Sequence, residues 1–185
     1  THPTVFSWIR KTLEFPKTIF IIRHPCGYAA SQLRFPTLKS LPAQEIISNQ
    51  KWYIESLNEN VEDDISLERF YALTWRLSNE MILKNNINTE NFYCVVYEDL
   101  CKSTESETRK MFDFLGLPMN KNVFSYLKKS TNPDRNIFAK LWSKRFYSTT
   151  KNPMDSARKW KKELTETQQS EIMSELHSSF LHKYW

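Results

Sequence analysis

Short apolar runs and longer amphipathic stretches alternate along the chain. The runs at Thr18–Ile22 and Phe92–Val96 are mainly apolar and rich in β-branched or aromatic side chains, which predicts strands buried on both faces of a parallel sheet. Apolar positions at helical spacing predict helices over Val5–Phe15 and Ser66–Leu83. Because each strand is followed by helical patterns, the fold class predicted is α/β, a parallel sheet flanked by helices.

Capping and turn signals predict the remaining elements. Pro25 suits the first turn of a helix, where its missing N–H costs nothing, and Thr165 with Gln168 forms a capping box at the start of the last helix. Residues 130–157 are basic and rich in small polar side chains, which predicts an irregular loop or lid. Further helices are predicted over Pro25–Leu33, Pro42–Leu57, Ser106–Leu115 and Asn122–Lys128. The buried side of Ser66–Leu83 is predicted to comprise Phe70, Leu73, Trp75, Leu77 and Met81.

Composition narrows the class of protein. With 185 residues, 40% of them hydrophobic and 25% charged, the chain fits one soluble globular domain. Its two glycines, Gly27 and Gly116, exclude a glycine-rich dinucleotide loop. The net charge of +5 suits either an anionic ligand or an ordinary basic surface, but the basic residues form no dense stripe of the kind that binds nucleic acid. The three cysteines lack metal-ligand spacing, and no apolar run is long enough to cross a bilayer.

Arg23 and Ser31 are the candidate anion-binding residues. Arg23 follows a predicted parallel strand, at the edge where such sheets bind ligands, and its guanidinium fork matches phosphate oxygens. The helix predicted from Pro25 presents its N-terminal N–H groups to the same place. Ser31, eight positions after Arg23, lies on the second turn of that helix, so its hydroxyl could donate to the same anion. The alternative is an arginine paired with a nearby acid and a serine that faces solvent.

Four segments of the chain resemble the sulfotransferase family. Tyr97–Pro118, YEDLCKSTESETRKMFDFLGLP, is similar to the family's segment from Tyr-Glu-Asp-Leu to Phe-Leu-Gly-Leu. Ile19–Leu33, IFIIRHPCGYAASQL, resembles the segment that binds a 3′-phosphate, in which Arg and Ser keep this spacing. Lys159–Leu176 resembles the family's late Trp-Lys-x-x-Leu-Thr-x-x-Gln helix, and Thr1–Pro3 resembles the end of its Lys-Thr-His segment.

The resemblance implies a P-loop-NTPase-like sulfotransferase fold and transfer of a sulfuryl group from 3′-phosphoadenylyl sulfate (PAPS), with 3′-phosphoadenosine 5′-phosphate (PAP) as product and no metal. Arg23 and Ser31 match the residues that bind the 3′-phosphate. Tyr97 matches a tyrosine near the adenine, with simple packing after a strand as the alternative, and Glu98 is expected to be structural. His2 matches the general base of cytosolic-type members, although Golgi-type relatives use a carboxylate and His2 could equally be an incidental histidine.

The chain departs from the family pattern in two places. Nothing in it resembles the 5′-phosphosulfate loop, so we expect residues 1–185 to be a single sulfotransferase-like domain that lacks the N-terminal strand, loop and helix. The Arg-Lys-Gly segment of cytosolic members is also missing, and Arg158 and Lys159 are its candidate replacements in binding the donor. This second departure favours a carbohydrate-type, lipid-type or bacterial relative.

Three functions are consistent with the sequence. The leading one is a PAPS-dependent sulfotransferase that acts on a hydroxyl or amine of a carbohydrate, lipid or small-molecule acceptor, contacted by residues 36–65 and 130–157. The others are a non-catalytic module that binds a nucleotide 3′-phosphate or a sulfated glycan, and a nucleoside-kinase-like phosphotransferase. The expected location is the cytoplasm, or the Golgi lumen if a membrane anchor precedes Thr1.

Overall fold

A computed structural model describes residues 3–14, 16–34, 41–131 and 153–185, with only the backbone for 128–131. Within these ranges, helices surround a sheet of two parallel strands, so the predicted α/β class is confirmed. The elements in chain order are α1 Pro3–Thr12, β1 Thr18–Ile22, α2 Pro25–Leu33, α3 Ala43–Gln50, α4 Trp52–Glu55, α5 Leu67–Asn86, β2 Phe92–Val96, α6 Tyr97–Lys102, α7 Thr104–Leu115, α8 Lys121–Thr131, α9 Pro153–Arg158, α10 Trp160–Glu163, α11 Glu166–Ser174 and a 3₁₀ helix Phe180–Tyr184.

The sheet register places the two strand ends side by side. β1 and β2 pair in parallel from Thr18 opposite Phe92 to Ile22 opposite Val96, and both strands have the predicted bounds. The residues that follow the strands therefore emerge at the same edge, which is where parallel sheets bind ligands.

Helix α5 is the central support of the fold. Ser66 caps it by accepting a hydrogen bond from the Arg69 N–H, as its N-cap position predicts. Its first half packs into one apolar cluster with α2, α3 and α11, and its second half packs into another with the sheet and the 3₁₀ helix. Because the buried face changes along the helix, Met81 is exposed, contrary to prediction, while Ile82 and Leu83 are buried.

The apolar face predicted for the first helix points outward. Val5, Trp8 and Ile9 are 45%, 65% and 39% exposed. The inward side instead carries Phe6, whose ring meets those of Phe20 and Phe92 edge-on.

The strand β1 is also less enclosed than predicted. Ile21 is 49% exposed, so the prediction that β1 is buried on both faces is wrong at this position. Among the described residues the sheet has two strands only, and the described elements leave the Ile21 side chain partly uncovered.

Two helices and one stretch of 3₁₀ helix were not predicted. Helix α6 begins directly after β2 at Tyr97, with Glu98 and Asp99 favourably placed in its first turn. Helix α9 occupies Pro153–Arg158, part of the segment predicted to be irregular, and most of that segment lies outside the described residues. The third is the 3₁₀ helix Phe180–Tyr184. The capping box of Thr165 with Gln168 at the start of α11 is confirmed.

Candidate functional site

Arg23 and Tyr97 meet at the shared edge of the sheet. Arg23 follows β1 and Tyr97 follows β2, and the register brings the two strand ends together. The guanidinium carbon of Arg23 lies 5.3 Å from the centre of the Tyr97 ring, which is the geometry of a cation–π contact. The sheet edge therefore holds a half-buried arginine against an aromatic face.

Glu98 fixes the turn between β1 and α2. The backbone N–H of His24 donates to both carboxylate oxygens of Glu98, at 3.2 and 3.3 Å. The His24 side chain caps α2, since its Nδ1 accepts from the Cys26 N–H at 3.1 Å, and Pro25 occupies the first turn as expected. Glu98 thus links the two strand ends, a structural contact of the kind expected for it.

The His24 ring is enclosed by two tryptophans. It stacks on Trp160 with ring centres 4.3 Å apart and meets the edge of Trp185 at 5.4 Å. Burial, and then the positive charges of Lys161 and Arg23, lower the pKa of His24 to about 4. The ring is therefore neutral at pH 7, which leaves Nδ1 free of a proton and able to accept the capping hydrogen bond.

Burial also raises the pKa of the Glu98 carboxyl, against smaller lowering effects of the His24 N–H and the Arg23 charge. The indole N–H of Trp185 lies close enough to lower this pKa as well, although its geometry falls short of a full hydrogen bond. Burial raises the pKa of the Tyr97 hydroxyl to about 12, and its hydrogen bond with Cys101 acts in the same direction. Tyr97 thus meets Arg23 as a neutral ring.

No hydrogen bond or ion pair of Arg23 occurs within the described residues. Its Nε atom is buried and has no hydrogen-bond partner there, although Glu98 is near enough for the two charges to interact. The predicted alternative, an arginine paired with a nearby acid, is therefore not what this part of the chain shows. A guanidinium with open hydrogen-bonding capacity at a helix N-terminus is suited to bind an anion.

Ser31 lies on the same face of α2 as Gly27, a position that the Arg23 side chain approaches closely. It follows Gly27 by four positions, one helical turn. Ser31 is half-buried.

Arg158 and Lys159, the late basic residues predicted to bind the donor, lie where α9 ends and α10 begins. Helix α9, which ends at Arg158, packs against α6, the helix that begins at Tyr97. Lys159 is exposed, and its Nζ pairs with Glu163 at 2.7 Å. Lys161, which the sequence did not single out, lies near enough to His24 to lower its pKa. His2 lies outside the described residues.

Sequence reasoning also missed Gly27, His24 and Trp160 as parts of this site. Trp160 belongs to a quoted motif, but the sequence did not indicate that it stacks on the turn after β1. The basic run around Trp160 was a visible signal for Lys161, yet spacing alone does not tell which lysine faces the sheet edge.

The described part of the chain contains no group of three or more His, Cys, Asp or Glu side chains arranged to hold a metal ion. In the same residues, no helix has the length and apolar character that a membrane span requires.

The fold defines an α/β protein with a half-buried arginine at the carboxyl edge of a parallel sheet. The family model for the sulfotransferase domain matches residues 5–183, nearly the whole chain. This chain belongs to the sulfotransferase family.

Curated relatives lie among the carbohydrate sulfotransferases. The chain is 29% identical to mouse carbohydrate sulfotransferase 3 over 113 residues, which are 60% of this chain and 23% of that protein. It is 27% identical to the rat protein of the same name over 146 residues, which are 78% of this chain and 28% of that protein. The match to mouse carbohydrate sulfotransferase 1 is 30% identical over 70 residues, 38% of this chain and 16% of that protein. The chain thus spans about a quarter or less of the relatives it matches, and no solved structure gives a significant match.

Proposed function

We propose that this chain is the part of a PAPS-dependent sulfotransferase that binds the 3′-phosphate of the donor. The proposal rests on Arg23, a half-buried arginine placed where β1 leads into the N-terminus of α2. Among the described residues it forms no ion pair, and its buried Nε has no hydrogen-bond partner. A dianionic phosphate there would accept hydrogen bonds from the guanidinium fork and lie at the positive end of the helix dipole. Ser31 would add a hydroxyl donor from the next turn of α2.

The neighbouring residues fit a nucleotide on the same edge. Tyr97 presents a neutral aromatic ring beside Arg23, and an adenine could stack on or near such a ring. Arg158 and Lys161 would strengthen the positive potential around the phosphate. In this arrangement the chain's own residues bind and orient the donor by its 3′-phosphate, so that its sulfuryl group is held in a fixed position for in-line attack.

The acceptor proposed is a carbohydrate hydroxyl. The matched relatives are named carbohydrate sulfotransferases, and this supports a glycan over a phenol or steroid. The general base proposed for the acceptor is His2, on the resemblance of Thr1–Pro3 to the family segment.

A transfer assay tests the proposal. The chain is incubated with sulfur-labelled PAPS and a panel of unsulfated oligosaccharides, and labelled product is measured for wild type, Arg23→Ala and the exposed-site control Lys162→Ala. We expect transfer by the wild type and the control, each assayed in a protein that also carries a 5′-phosphosulfate loop. Arg23→Ala should lower kcat/KM by at least about tenfold, since a charge-assisted hydrogen bond is worth roughly 1.5–3 kcal/mol.

Two results would contradict this proposal in different ways. Binding of PAP with no transfer to any acceptor would indicate a non-catalytic module that keeps the phosphate site. Transfer that is unchanged in Arg23→Ala would show that the donor phosphate binds somewhere else.

A further inference from the structure

Gly27 occupies a helical position that has no backbone need for glycine. It lies in the first turn of α2, and among the described glycines only Gly116 has a positive φ, of 73°. Alanine forms helices better than glycine, so a glycine here calls for another physical reason.

The reason is the close approach of Arg23. A Cβ atom built on Gly27 would lie 2.8 Å from Arg23 Nε, well inside normal contact, and 3.4 Å from Arg23 Cζ. The same atom would lie 3.4 Å from Cδ1 of Trp160, which closes the space on that side. Arg23 also contacts the Tyr97 ring, at 5.3 Å from guanidinium carbon to ring centre.

We infer that Gly27 is a positioning residue for the phosphate site: its missing side chain leaves the slot in which the Arg23 guanidinium lies against α2 and beside Tyr97. This inference rests on the proposed 3′-phosphate site. The slot explains why Arg23 Nε is buried without a hydrogen bond, since it faces the Gly27 backbone. The terminal nitrogens of Arg23 would then be the groups that reach the phosphate.

A double-mutant cycle measured by PAP binding tests this role. Gly27→Ala should weaken PAP binding by about tenfold in the wild-type chain and by less than about twofold in the Arg23→Ala background, because the added methyl group acts by displacing Arg23. The melting temperature of Gly27→Ala without nucleotide should stay the same or rise, since the displaced group is near the end of a flexible side chain.

The other glycine supplies a matched control. At Gly116, a Cβ would meet only Lys17 Nζ, at 3.8 Å, but φ is left-handed at the end of α7. Gly116→Ala should therefore lower the melting temperature and leave PAP affinity unchanged, the opposite of Gly27→Ala.

A second readout does not depend on the nucleotide. The Nε–H signal of Arg23 in a ¹H–¹⁵N spectrum, assigned by its disappearance in Arg23→Lys, should shift or broaden in Gly27→Ala and stay in place in Gly116→Ala. If the unmodified chain binds no PAP, the proposed function fails, and the role of Gly27 in phosphate binding fails with it. If PAP binding depends on Arg23, while Gly27→Ala matches wild type in PAP affinity and in the Arg23 signal, only the positioning role of Gly27 is overturned.

Discussion

His24 joins three parts of the site through three different groups. Its backbone N–H donates to Glu98, its Nδ1 accepts from the Cys26 N–H, and its ring stacks on Trp160. These contacts tie the end of β2, the start of α2 and helix α10 to one residue. Because Nδ1 is an acceptor, the arrangement requires a neutral imidazole, in agreement with a pKa lowered to about 4.

This requirement predicts a pH-dependent stability that His24→Asn should remove. The folded pKa lies below the unfolded value of 6.5, so the unfolded chain takes up the proton first as pH falls. The stability that neutral His24 contributes is fully present above pH 6.5 and is lost between pH 6.5 and about 4. At pH 5 the free energy of unfolding has fallen by roughly 2 kcal/mol. Asparagine keeps an N-cap acceptor but does not titrate. Urea unfolding at pH 7 and pH 5 should therefore show a smaller loss of stability in His24→Asn than in wild type.

The change in the free energy of unfolding between pH 7 and pH 5, compared between wild type and His24→Asn, separates the effect of His24 from that of its neighbours. The raised pKa of Glu98 has the opposite effect, because its protonation stabilises the folded chain as pH falls. Wild type and His24→Asn both carry Glu98, so its effect is the same in each. His177→Asn, at an exposed position, is the matched control. An equal loss of stability from pH 7 to pH 5 in wild type and His24→Asn would contradict the conclusion that His24 is buried as a neutral imidazole.

Local sequence signals identified some of these residues and not others. The positions of Arg23 and Ser31 follow from a strand, a proline and a helix that are close in sequence. Gly27 and His24 lie in the same segment, but their roles depend on Trp160, which is brought to them by tertiary packing. A close approach of this kind produces no periodic pattern in a sequence.

Helix α1 shows that apolar spacing predicts an element better than it predicts its partner. The helix is present, although it runs over Pro3–Thr12 instead of Val5–Phe15. Trp8 is 65% exposed, while Phe6 packs on the rings of Phe20 and Phe92. Arg10 completes this inner side, with its guanidinium over the Phe92 ring and a hydrogen bond to Asn86. The strands were easier to predict, because a short run that is mainly apolar at successive positions indicates a strand without any need to assign its buried face.

The orientation of α1 leads to unequal effects of two substitutions. Phe6→Ala removes contacts with the sheet and should lower the free energy of unfolding by about 2 kcal/mol. Trp8→Glu changes an exposed side chain and should alter it by less than about 0.5 kcal/mol. Urea unfolding of both variants checks this, and a larger loss in Trp8→Glu than in Phe6→Ala would mean that α1 packs through its other face.

The molecule as a whole is organised around one edge of its sheet. Helix α5 supports both apolar clusters, while α2, α6, α9 and α10 gather at the ends of the two strands. The α/β class and family membership could be predicted from sequence, because motifs and periodicity persist along the whole chain. The exposed face at Ile21 could not, since it depends on how many layers cover the sheet.

Paired calorimetric titrations with PAP and with 5′-AMP show whether the Arg23 edge recognises a 3′-phosphate. The two nucleotides differ only in that phosphate. We expect the wild-type chain to bind PAP at least about tenfold more tightly than 5′-AMP, and Arg23→Ala to bind the two nucleotides with similar affinity. Equal affinities in the wild type, or a preference for PAP that persists in Arg23→Ala, would contradict this expectation.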